Sequence, residues 1–125
     1  MAQGLSLSAV QATIARALAL QPVDRSRIGK AAELIAFGQV EQIDATTFAV
    51  TSLTDATVTY TVTPDACECV ARVHYPTRRC SHEWAARIVL SAEKAQQAEA
   101  EQADRARFMA DSVAIAYASA SRRAA

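Results

Sequence analysis

Glycine, proline and cysteine occur only three times each in this 125-residue chain, tryptophan once, and aromatic residues make up 6% of it. With so few glycines, a phosphate-cradling loop has little to build on, and neither G-x-x-x-x-G-K-S/T nor G-x-S-x-G is present. No apolar run approaches the roughly 18 residues of a membrane span. Met1 to Leu20 lacks a basic start and is interrupted by Gln11, Thr13 and Arg16, so no signal peptide is expected there. An excess of one charge is missing too: 13 Lys and Arg balance 13 Asp and Glu. That balance argues against a surface built wholly for nucleic acid, while leaving room for a local basic patch. Three cysteines cannot all pair within one chain, and two of them are only two positions apart. They point to metal binding in a reducing compartment, the cytoplasm, rather than to a disulfide framework.

What is present is organised by period. Leu7, Val10, Ile14 and Leu18 recur at helical spacing, with Ser6 or Ser8 available as cap and Pro22 as stop. A second helix is expected from an Asp24 cap to about Phe37, with Leu34, Ile35 and Phe37 inward and Gly38 as its end. The period then changes to two. Val58, Tyr60 and Val62 alternate with Thr57, Thr59, Thr61 and Thr63, and Val40, Ile43, Phe48 and Val50 precede them. Three antiparallel strands are predicted, Gln39–Asp44, Thr46–Ser52 and Ala56–Thr63, with turns at Asp44-Ala45, Leu53–Asp55 and Pro64-Asp65. From Ser81 onward the chain reads as helix. Trp84, Ile88 and Val89 mark a core face, residues 92–106 offer only alanine as apolar surface, and Phe108, Met109, Val113, Ile115 and Tyr117 form a second cluster. The simplest cover for that cluster is the Leu7–Leu18 face, with a dimer or a partner protein as the alternative. Ser119 to Ala125 is expected to fray.

The chemistry-bearing pattern is C-x-C, ten residues, C-x-H: Cys67 and Cys69, then Cys80 and His82. Zinc takes four ligands in a tetrahedron, and thiolate and imidazole are the donors it prefers. Two Cys at i and i+2 can grip one ion from the same side of an extended segment. The Val70–Arg79 loop is long enough to return the second pair, which would sit where a helix dipole favours thiolates. A complete ligand set leaves no open position, so a Zn2+ held here is structural rather than catalytic. Three thiolates and one zinc sum to −1, which Arg78 and Arg79 can offset.

This arrangement resembles a SWIM-type zinc finger, in which C-x-C, a variable loop and C-x-H follow a small sheet and precede a helix. Gly38-Gln39-Val40, the Phe48 strand and Tyr60-Thr61-Val62 sit where such domains place their strands, so the likeness covers about Arg27 to Ala92. Val70 and Ser81 stand where family members often carry Pro and Lys. The resemblance implies Cys67, Cys69, Cys80 and His82 as zinc ligands, and DNA or protein as partner.

His74, inside the loop, reads as a solvated residue rather than a ligand. Glu83 follows His82, but position 86 is Ala, so H-E-x-x-H is absent, as is the P-C-x-x-C of zinc deaminases. No enzyme is expected. Arg72, Arg78, Arg79 and Arg87 are candidates for phosphate contact, with Tyr75 as a stacking surface. Arg25, Arg27 and Lys30 read as ordinary surface. The fold class expected is α+β: N-terminal helices over residues 1–26, a zinc-binding unit with a three-stranded antiparallel sheet over 27–92, and a helical extension over 93–125. Its expected partners are DNA or another nucleic acid, or else a protein or a second copy of the chain, and no membrane.

Overall fold

The computed structural model describes residues 4–124. Its elements are α1 (Leu7–Leu20), a 3-10 turn (Pro22–Asp24), α2 (Arg25–Ala36), β1 (Val40–Gln42), β2 (Phe48–Thr51), β3 (Thr59–Val62), α3 (Val70–His74) and α4 (Ser81–Ala124). The architecture is α+β, as the change of period predicts.

Local chemistry explains the boundaries. Ser6 is the cap of α1, its hydroxyl accepting the Ala9 N–H at 3.2 Å. Helix α2 ends on Gly38, whose φ of +71° suits glycine. The Gly38 and Gln39 N–H groups return to the carbonyls of Ile35 and Leu34 at 3.1 and 2.9 Å, a Schellman end. Asp24 makes no side-chain cap; its carboxylate pairs with Arg27 at 3.3 Å instead.

The sheet has order β1-β2-β3, both pairs antiparallel, with Val40 opposite Val50 and Phe48 opposite Val62. These four residues are buried and form one face, while Thr59 and Thr61 alternate outward. The strands are shorter than predicted because the turn residues capture the chain ends. Asp44 Oδ1 accepts the N–H groups of Thr46 and Thr47, and Asp55 Oδ1 accepts the N–H and hydroxyl of Thr57. Ile43 falls in the first turn and is exposed.

One core joins the sheet to the helices. Ile28, Ala31, Leu34 and Ile35 of α2 meet Trp84, Ala85, Ala86, Ile88, Val89 and Ala92 of α4, with Leu5 and Val10 at its edge. Alanine is a large part of this core, and its small side chain lets α1, α2 and the first half of α4 pack closely. Leu7 and Phe37, both expected inside, are exposed, because Leu7 opens α1 on its outer side and Phe37 lies past the last turn of α2. Gln96 marks the last tie between α4 and the rest: it accepts the Ser6 N–H at 2.8 Å and donates to the Gly4 carbonyl.

Beyond Gln96 nearly every described residue of the helix is exposed. α4 is 44 residues long, about 66 Å at 1.5 Å per residue. Phe108, Met109, Val113, Ile115 and Tyr117 are all exposed. The Leu7–Leu18 face does not cover them: α1 packs on the first half of α4, where Ile14 and Leu18 are partly buried. Ser119 to Ala124 stays helical, and Ala125 lies outside the described residues, as do residues 1–3. None of the described helices is long and apolar enough to cross a membrane.

Phe48 has no exposed surface and sits between the sheet and the helices. Phe48→Ala is expected to cost about 3–5 kcal/mol, read as a lower urea midpoint at an unchanged slope.

Candidate metal centre

Backbone turns bring the four candidate ligands together. After β3, Pro64 and Asp65 make a tight turn closed by Thr63 and Ala66, whose N–H groups donate to each other's carbonyls at 3.0 and 3.4 Å. The chain leaves this turn extended, so Cys67 and Cys69 follow it directly. Cys69 then starts α3, its carbonyl accepting from Arg72 and Val73 at 3.1 Å. The segment predicted as a ten-residue loop therefore opens with a helical turn, which shortens the path back. Pro76 and Thr77 complete the reversal, with the Arg78 N–H donating to the Tyr75 carbonyl at 3.0 Å. Cys80 precedes α4, and His82 lies in its first turn.

The ligand atoms of Cys67, Cys69, Cys80 and His82 all lie within 4.8 Å of one another. His82 Nδ1 is 3.7 Å from Cys67 Sγ and 3.9 Å from Cys80 Sγ. A tetrahedral ion with bonds of about 2.3 Å to sulfur and 2.0–2.1 Å to nitrogen has S···N edges of about 3.6 Å and S···S edges of about 3.8 Å. The cluster therefore fits a tetrahedral metal ion with small adjustment. All three cysteines are buried and unpaired, and His82 is half-buried with its ring 4.9 Å from that of Tyr60. His74 is exposed on α3 and outside the cluster.

Helix α4 contributes to the site through its N-terminus. Cys80 Sγ accepts the Glu83 N–H at 3.4 Å, the position an N-cap oxygen normally takes. A thiolate there gains from the helix dipole. Without metal, Cys69 and Cys80 oppose ionisation. Cys80 is pushed up to about 12, first by the hydrogen bond with Cys67 and then by burial, while burial raises Cys69. A metal ion must therefore displace protons from thiols that the fold holds neutral.

Glu83 is the residue whose role was not read from the sequence. It is 1% exposed, and its carboxylate pairs with Arg72 Nε at 3.0 Å. Arg72 also donates to the carbonyls of Arg78 at 2.9 Å and Asp65 at 3.5 Å. One guanidinium thus ties α3, the returning loop and the Pro64 turn to the start of α4. The sequence signal was the capping pattern, a Glu three residues after Cys80, with Cys in place of Ser or Thr. Arg72 and Glu83 neutralise each other, so this pair brings no net charge to the cluster.

The other candidates lie on the outside of the knuckle. Arg79 donates to the Pro64 carbonyl at 3.3 Å, approaches Asp65 at 3.9 Å, and has its guanidinium 5.3 Å from the Trp84 ring centre. Arg87 pairs with Asp65 at 3.3 Å. Arg78 and Tyr75 are exposed. Arg72, expected as a phosphate contact, is already committed to Glu83 and two carbonyls, whereas Arg78, Arg79 and Arg87 remain accessible.

No protein-family model matches the chain, and no curated protein or solved structure is significantly similar to it.

Two measurements check the centre. Cys69→Ser is expected to abolish tight one-to-one metal binding, and a strong chelator to unfold the region around Trp84, because structural zinc contributes about 10–16 kcal/mol in small fingers against a total domain stability of about 5–15 kcal/mol. Metal affinity should fall on acidification, with a slope approaching the three thiols that must lose protons.

Proposed function

We propose that the chain is a non-catalytic zinc-binding accessory protein of the SWIM-finger type, whose zinc is a structural staple and whose knuckle contacts nucleic acid. The observation that carries the zinc reading is the closed set of three buried cysteines and one imidazole within 4.8 Å. A set of that composition selects zinc among common divalent ions and leaves no position for substrate. Free thiols at all three positions favour a reducing, cytoplasmic setting.

The nucleic-acid reading rests on placement. Arg78, Arg79 and Arg87 stand on the outer side of the knuckle with exposed Tyr75 on the same returning segment. Asp65, the acidic partner of Arg79 and Arg87, is 82% exposed, and such surface pairs contribute only about 0–1 kcal/mol. A phosphate can displace it at small cost. Local basic charge on a chain of zero net charge gives modest, strongly salt-dependent binding rather than tight binding.

A second reading is favoured by one observation, the bare second half of α4. Met109, Val113 and Tyr117 share one side of it, and Phe108 and Ile115 another. Glu99, Glu101 and Asp104 lie well before this apolar stretch and Arg122 after it, with Arg105 and Arg107 just before Phe108 and Asp111 inside the stretch. Two antiparallel copies would set opposite charges against each other, so self-association is the form this reading takes.

Replacing Arg78 and Arg79 by Ala with zinc retained separates the readings. Nucleic-acid contact predicts binding that is weaker and less steep in salt, by about one unit of slope per lost phosphate contact. The helix reading predicts no effect of that change, a dimer by sedimentation equilibrium, and a monomer for Val113→Glu.

A further inference from the structure

Between α1 and the first turns of α4, beside Trp84, lies a cleft of about 220 Å³. This is several times the roughly 30 Å³ that one water occupies in the liquid. Its lining is unusual in charge. Arg16 of α1, Arg79 of the knuckle and Arg87 of α4 all border it, and no Asp or Glu does. Arg16 makes no ion pair among the described residues, and Arg79 and Arg87 share the single exposed carboxylate of Asp65.

A second observation comes from the same walls. Trp84 Nε1 and Arg87 Nε are buried donors without a hydrogen-bond partner among the described residues. Trp84 itself is 4% exposed. Buried donors are rarely left unsatisfied, since each costs about 1–3 kcal/mol. Here two lie one helical turn apart, in residues that both line the cleft. Arg79 is held in place from two directions, by the Pro64 carbonyl and by the face of the Trp84 ring. Cationic groups on three sides and unused N–H donors in the wall are the requirements for holding an oxyanion.

From this geometry we infer that the cleft bordered by Arg16, Arg79, Trp84 and Arg87 is a binding site for a phosphate group. The guanidiniums supply charge and paired donors, and a small rotation of the indole or of Arg87 brings a buried N–H to the anion. Asp65 is the group displaced. A nucleic-acid backbone and a small phosphorylated molecule present the same chemistry here. The site goes beyond the knuckle: Arg16 and Trp84 belong to it, while Arg78 and Tyr75 do not.

Trp84 is the only tryptophan, so its indole N–H gives one unambiguous resonance in a proton–nitrogen NMR spectrum of the zinc-loaded protein. Titration with inorganic phosphate is expected to move that resonance saturably, whereas chloride at equal ionic strength is not. Arg16→Gln, an exposed change, should weaken the effect by about tenfold, as loss of one charge-assisted hydrogen bond does. Arg87→Lys keeps the charge but removes the fork and should weaken it as well. An equal response to chloride, no saturation, or folded variants that bind as the parent does would overturn the site. A short oligonucleotide then identifies the source. Competition with phosphate for the same resonance assigns the cleft to backbone phosphate. Phosphate binding without such competition supports the cleft for a small ligand and counts against the nucleic-acid reading. Oligonucleotide binding while neither ligand moves the indole would leave that reading standing and refute the cleft.

Discussion

Everything around the knuckle depends on bringing three buried thiols and one imidazole to a common point. Without an ion, the arrangement is costly: the hydrogen bond from Cys67 and burial keep Cys80 neutral, and burial does the same for Cys69. With an ion, the same crowding becomes a tetrahedron that joins two segments otherwise held by few apolar contacts. Val70 and Val73 of α3 are exposed and contribute nothing to the core. What fastens α3 is the Arg72–Glu83 pair, and beside it the cysteines that flank the helix. An ion held by this cluster would be a cross-link between the end of the sheet and the start of the long helix.

That placement has consequences at both ends of α4. Cys80 caps the helix and His82 sits within its first turn, so an ion bound there fixes where the helix begins and how it is directed. The next turns, Trp84 to Ala92, complete the core against α2 and α1. Past Gln96 the described residues of the helix are exposed almost throughout, and its stability there rests on the high helix propensity of Ala, Glu, Gln and Arg. The metal end therefore orients a projecting helix, while the arginines beside it face outward. Phosphate contact and helix-mediated assembly use different surfaces and are physically compatible.

Much of this was legible in the residues. Alternation at Val58, Tyr60 and Val62, the Ser6 cap and the Gly38 stop each encode a local preference, and local preferences can be read without knowing the rest of the fold. The Cys67, Cys69, Cys80 and His82 cluster was legible for a different reason: it uses every cysteine, at a spacing that only a reversal of the chain can bring together. Less legible were features set by tertiary position. Leu7 and Phe37 fit their helical faces by spacing but lie where the helix begins or has ended. The short helix α3 has exposed valines and no amphipathic period of its own. Arg72 looked like its neighbours, and only the buried carboxylate of Glu83 distinguishes it. The length of α4 was readable, whereas the bare state of its second half was not, because spacing reveals an apolar face and not its cover.

The most direct test of the central claim is X-ray absorption at the zinc edge on protein purified without added metal. The account predicts one zinc per chain with three sulfur ligands at about 2.3 Å and one nitrogen at 2.0–2.1 Å. A shell dominated by oxygen or nitrogen, or protein that is folded and carries no metal, would contradict it.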